Sequence, residues 1–188
     1  MIHIYIVFAG SVPNGITDKR IIEFLNNFKQ KGVKLIIDSK SITKEELLML
    51  KPYLIKPNEE EVSAYIGHNV QTFADCIEGA KYLNENGIEN VMITLGKKGA
   101  MTVTDGKVYI AKPPVVEVVS TIGADDSSIA GFLYAKYHGK DTLECLKTAV
   151  AFGSAACLTS GTNPPKKADV ENIKSFNLDE NYPMAFQM

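Results

Sequence analysis

Cysteine and histidine are scarce in this 188-residue sequence, three of each, and neither gathers into a cluster. Cys76, Cys145 and Cys157 lie far apart within helix-like patterns, so neither a disulfide framework nor a metal spacing emerges. They read as core thiols of a reducing compartment. His3, His68 and His138 form no group with them, which argues against a zinc site. A basic stripe is missing too. Lysine and arginine number 20 against 22 aspartates and glutamates, a net charge of −2. The pairs Lys97-Lys98 and Lys166-Lys167 stand isolated and solvated. That balance argues against a nucleic-acid binder. No apolar run reaches the ~20 residues that span a bilayer. The run at residues 2–10 lacks a basic leader, is β-branched and aromatic, and stops at Gly10-Ser11, so it reads as a buried strand. Repeats, low-complexity tracts and interdomain linkers are absent, and the length suits a single domain spanning residues 1–188. A cytoplasmic protein with no membrane or nucleic-acid partner is expected.

What the chain does have is an alternation of strand and helix patterns. Ile21, Ile22, Leu25 and Phe28 make a helical stripe over residues 18–31, ended by Gly32. Residues 33–38 form a second strand. Thr43 and Glu46 are spaced as a capping box for a helix over 43–50. A third strand at 53–56 is closed by Pro57-Asn58, and helices follow at 59–65 and 72–86. Residues 91–96 make a fourth strand. Asp105-Gly106 then joins residues 99–104 and 108–111 as a hairpin. One more strand is expected at 115–119, and helices at 124–137, 142–158 and 168–174. This rhythm predicts an α/β fold: a mostly parallel sheet with right-handed crossovers, covered by helices on both faces.

Chemistry concentrates at residues 121–132. Gly123 and Ala124 precede a helical pattern whose first-turn N–H groups can hold an anion. Asp126 stands in the same turn, where it can take a proton from a hydroxyl aimed at that anion. An anion cradle beside a base is what phosphoryl transfer to an alcohol needs. Taken alone, Asp125 and Asp126 are better explained by the positive end of a helix. In parallel sheets ligands lie beyond the carboxyl ends of strands, and here those ends carry Gly10-Ser11, Asp38-Ser39, Lys56-Pro57-Asn58 and Thr94-Leu95-Gly96. Each has a plainer explanation. Asn58 and Glu61 suffice as a capping box, Gly96 and Gly99 as the opening of a hairpin, Thr94 as a strand residue, Gly10 and Gly15 as loop punctuation, and Gly161 as a helix C-cap.

The order and spacing of five segments nevertheless resemble the ribokinase-like (PfkB) family of sugar kinases, most closely its 1-phosphofructokinase and tagatose-6-phosphate kinase branch. They are residues 9–15, 54–61 (Leu-Ile-Lys-Pro-Asn-Glu-Glu-Glu), 93–100, 120–132 and 149–162. The resemblance implies a three-layer ribokinase-like fold and ATP- and magnesium-dependent phosphorylation of a sugar-phosphate hydroxyl. It gives Asp126 the role of catalytic base and Gly123 and Ala124, beside Asp125, that of anion hole. Asn58 and Glu61 match an Asn-x-x-Glu motif that helps place magnesium, through water, and phosphate. Lys56, Thr94, Gly96, Gly99, Gly153 and Gly161 fall in the nucleotide-binding regions, with adenine near the hairpin and the helix after Thr142. Gly10 and Ser11 fall near the acceptor sugar. Two departures lower the expected activity of this chain. The family's N-terminal strands, Gly-rich sugar motif and lid have no counterpart ahead of Met1, and Asp125 replaces the second glycine of Gly-Ala-Gly-Asp. The first strand would then present an unpaired apolar edge, so self-association or a homo-oligomer is expected.

Overall fold

A computed structural model describes residues 4–12 and 18–176. His3 and the Pro13-Asn14-Gly15 stretch lie outside them. Among the described residues there are six strands and seven α-helices. In chain order they are β1 (Tyr5–Ala9), α1 (Asp18–Gln30), β2 (Lys34–Asp38), α2 (Lys44–Leu50), β3 (Leu54–Ile55), α3 (Glu59–Ile66), α4 (Phe73–Glu85) and β4 (Asn90–Thr94). A single 3-10 turn, Gly96–Lys98, leads to β5 (Ala100–Thr104) and β6 (Lys107–Ala111), and then come α5 (Ala124–Tyr137), α6 (Thr142–Ala156) and α7 (Lys167–Ser175).

The strands lie in one sheet in chain order, and β1 through β4 pair in parallel. Their register runs Tyr5 opposite Lys34, Ile36 opposite Leu54, and Leu54 opposite Asn90. Asp105 and Gly106, at φ 49° and 70°, form a two-residue turn that reverses the chain, so β5 and β6 make an antiparallel hairpin and the sheet is mixed. Contacts divide the chain into two compact units. One comprises the residues through Ile93 together with Val103–Lys107; the other comprises Thr94–Thr102 and the residues from Val108 onward.

In the first unit, Leu35, Ile36 and Ile37 of β2 and Val91, Met92 and Ile93 of β4 are all buried, the continuous apolar run of strands covered on both faces. Capping explains where the helices start. The Glu46 N–H donates to Thr43 Oγ1 at 3.3 Å, and the Thr43 N–H donates to Glu46 Oε2 at 2.9 Å. Thr72 and Asp75 repeat the arrangement at α4. The hairpin tip is tied down by the Gly106 N–H donating to Asn84 Oδ1 at 2.9 Å and by Thr104 Oγ1 donating to the Glu89 carbonyl at 2.9 Å.

Two expectations are corrected. β1 is not a buried strand: it stands at the sheet edge, and Ile4 and Val7 are 62% and 47% exposed. Residues 115–119 form no strand. Pro113 and Pro114 carry no N–H for a ladder, Val115 is fully exposed, and the Val119 N–H donates at 2.8 Å to the carbonyl of Cys157, just past the end of α6.

In the second unit, α6 lies close against α5. A Cβ on Gly131 would sit 2.7 Å from the Thr148 carbonyl oxygen and 2.8 Å from Phe152. Ala151 and Ala155 on α6 pack with Val170 and Ile173 of α7 in a buried cluster. Because a backbone atom cannot yield as a side-chain tip can, Gly131→Ala is expected to destabilise this unit by about 1–3 kcal/mol. Urea denaturation checks this, and an unchanged midpoint refutes the tight contact.

Candidate functional site

Within the first unit, the ends of three parallel strands are tied together. The Gly10 N–H donates to the Asp38 carbonyl at 3.0 Å, the Ser39 hydroxyl donates to the Gly10 carbonyl, and the Lys56 N–H donates to the Ile37 carbonyl at 3.3 Å. Lys56 is almost fully buried, and its Nζ lies 3.4 Å from Asp38 Oδ1, itself 17% exposed. A lysine is tolerated there because a carboxylate accompanies it. Beside the pair is a cavity of about 10 Å³, room for one water, with Ser39, Glu61 and Tyr65 also in its wall. Burial first, then the carboxylates of Glu61 and Asp38, push the Tyr65 phenol up to about 12. Asp38 closed a suggestive strand end in the sequence without being given a role, and Tyr65 passed as an ordinary helix residue. The signal for Asp38 was a lysine inside an apolar strand pattern, which calls for a counter-charge. Ser11 is exposed.

Asn58 and Glu61 do form the expected capping box of α3. The Glu61 N–H donates to Asn58 Oδ1 at 2.9 Å, and the Asn58 N–H donates to Glu61 Oε2 at 2.8 Å. Glu61 thereby keeps its second oxygen outside the capping pair. Among the described residues no three His, Cys, Asp or Glu side chains gather as a metal cage. One carboxylate oxygen next to a water-sized polar cavity still suits magnesium, which keeps several waters and takes few protein ligands.

In the second unit, Gly123 is the N-cap residue of α5; its φ of 79° is left-handed, and glycine has no side chain with which to cap the helix. Glycine is the residue that adopts this conformation without strain. The Ser127 N–H donates to the Gly123 carbonyl at 2.9 Å, the first bond of the helix. The Ala124 N–H, expected in an anion hole, turns back to the Thr121 carbonyl at 3.2 Å. Asp125 and Asp126, the second and third residues of α5, are both exposed. Thr94 Oγ1, at the end of β4, donates to Asp125 Oδ1 over a long 3.4 Å. Burial and the Asp125 carboxylate together push the Cys157 thiol up. Gly153 has a packing role: a Cβ there would lie 2.4 Å from Ser128 Oγ and 3.2 Å from the Ala124 carbonyl. Gly99, at φ 101°, brings its Cα against β6, where a Cβ would meet the Ala111 carbonyl at 2.1 Å. Gly96 starts the 3-10 turn and Gly161 lies in a turn beyond α6, both with positive φ.

Comparison with known proteins gives this arrangement a family. Residues 3–169 match the pfkB family carbohydrate kinases. The chain belongs to that family. It is 37% identical over 152 residues to a 1-phosphofructokinase of Haemophilus influenzae, a match covering 80% of this chain and 49% of the relative. Among solved structures it resembles phosphofructokinase-2 from Escherichia coli in complex with substrates and products, with TM-score 0.84 and 28% identity over 93% of this chain and 58% of that one. It also resembles Arabidopsis thaliana ribokinase complexed with ribose and ATP, with TM-score 0.75 and 28% identity over 89% of this chain and 55% of that one. The fold is therefore ribokinase-like. The chain spans about half the length of the curated relatives it matches. Among the described residues, no helix is long and apolar enough to cross a membrane.

The raised Tyr65 phenol has a measurable consequence. Its folded value, about 12, exceeds the ordinary value near 10, so the unfolded chain loses this proton first. Stability should be unaffected by this group below pH 10 and fall by about 1.4 kcal/mol per pH unit between pH 10 and 12. Tyr65→Phe should remove that component and the latest-titrating phenolate absorbance. A variant whose alkaline titration matches the parent refutes the assignment.

Proposed function

We propose that the chain carries the nucleotide and catalytic portion of an ATP-dependent sugar-phosphate kinase, with Asp126 as the base. The observation that carries this reading is an exposed carboxylate on the third residue of α5, three residues after a left-handed glycine, in a chain of the pfkB carbohydrate kinase family. A sugar hydroxyl is a weak nucleophile until a carboxylate accepts its proton during attack. Asp126 takes that proton while the hydroxyl oxygen bonds to the terminal phosphorus and the bond to the departing diphosphate breaks. The first-turn amides beside Gly123 receive the phosphoryl oxygens. Asn58 and Glu61 would hold magnesium through water, and the ion would supply positive charge to a nucleotide's phosphates. Thr94, Gly96, Gly99, Lys56, Gly153 and Gly161 shape the nucleotide side, and Gly10 and Ser11 the acceptor side. The acceptor is a ketohexose phosphate of the fructose 1-phosphate or tagatose 6-phosphate kind, in keeping with the name of the Haemophilus relative. The chain belongs to one kinase domain of a cytoplasmic protein without nucleic-acid or membrane partners, one that self-associates or joins an assembly shielding the edge of β1.

One observation favours a second reading, a nucleotide-binding module without turnover: Asp125 stands where the resemblance calls for glycine, bonded to Thr94. The two are separated by giving the chain magnesium, ATP and fructose 1-phosphate. Turnover is expected to be low, and Asp126→Asn should lower it by a further 10²–10⁴-fold. A variant as active as the parent removes Asp126 as base. Calorimetric binding of ATP with no turnover in either form supports the module, and absence of both refutes both readings.

A further inference from the structure

We infer that β1 is a symmetric pairing edge, along which a second copy of this chain lays its own β1 antiparallel and extends the sheet of the first unit. The inference rests on the self-association proposed above and supplies its geometry. β1 ends the strand order, so one side of it meets β2 and the other meets no strand among the described residues. The Lys34 N–H donates to the Ile4 carbonyl at 2.9 Å, and the Gly10 N–H donates to the Asp38 carbonyl at 3.0 Å. Even-numbered residues therefore turn their backbone groups to β2, and the alternation of a strand turns the N–H and C=O of Val7 and Ala9 outward. Edges that do not pair are blunted by lysine, proline or a bulge. Tyr5–Ala9 carries no charge and no proline, and its register with β2 runs without a bulge. A neutral strand also meets its own copy without like-charge repulsion. With the two-fold axis at Val7, the Val7 residues of the two copies exchange both hydrogen bonds. The small Ala9 then stands across from the bulky Tyr5 of the second copy. Because each copy uses the same edge, the assembly closes at two.

The test is sedimentation equilibrium on the full chain, comparing the parent with Val7→Lys and Val7→Glu, and with circular dichroism as the check on folding. Val7 is about half exposed, and its backbone groups take no part in the ladder with β2, so both substitutions leave that ladder in place. As concentration rises, the parent should move from the mass of one chain to that of two. Each variant alone should show a dissociation constant at least ~10-fold higher, because it sets like charges opposite each other across the axis. An equimolar mixture of the two variants should recover the dimer. If a charged variant loses helix content, Val7→Pro replaces it, since proline removes only an N–H that points away from β2, and it too should abolish the dimer. Association equal to the parent's in every variant overturns the pairing and leaves self-association to another surface. Weakening in each charged variant without recovery in the mixture overturns the axis at Val7. Parent species larger than two chains overturn the closed pair. A parent that stays a single chain at all concentrations refutes this inference and the self-association reading together, and the kinase reading stands in every case.

Discussion

The close approach of α6 to α5 is the constraint from which the second unit takes its form. Gly131 and Gly153 leave no side chain between the helices, and each stands where a Cβ would strike a neighbour at 2.7 Å or less. Gly153 faces the very start of α5, against the Ala124 carbonyl and Ser128 Oγ. Ser128 in turn donates to that same carbonyl at 2.9 Å. The first turn of α5 is therefore held from behind by packing, and its front is left to Gly123, Asp125 and Asp126. Anion-binding amides are useful only if they do not move when charge arrives, so a helix start wedged by its neighbour is a reasonable place for them.

Charge is handled differently in the two units. Lys56 and Asp38 pair at 3.4 Å with the lysine nearly out of solvent, so removing either partner strands a charge away from water. Asp125 and Asp126 are exposed, where water and salt screen them. The first arrangement is a rigid structural charge. The second is a surface charge at a helix start, where it complements the helix dipole.

Much of this was legible from residue order, because capping and helix-start chemistry are local. Thr43 with Glu46, Asn58 with Glu61 and the Asp105-Gly106 turn each act over two to four residues, and each formed as the spacing predicts. The α5 boundaries followed for the same reason. What escaped depends on pairing across the chain. Composition alone made β1 a buried strand, whereas the resemblance already implied the edge position it takes. Residues 115–119 have strand-like composition but no partner that accepts their ladder. The engagement of the Ala124 amide by Thr121 turns on the path of the backbone into the helix, and Tyr65 became an unusual phenol only when α3 was laid over the end of β2.

The same residues serve structure and chemistry, and that overlap is why spacing alone left alternatives open. Asn58 and Glu61 cap α3 whether or not a metal is bound, because the capping pair uses one glutamate oxygen and one asparagine oxygen. Gly123 starts α5 with a single left-handed residue, at the turn where the proposed function puts a phosphate. Gly153 falls in a segment that resembles the family, and its visible task is to let two helices touch. Asp125 breaks the pattern. Nothing in the start of α5 needs a second carboxylate for stability, since Asp126 already complements the helix dipole. Its bond to Thr94 ties the start of α5 to the end of β4, a link that capping does not require.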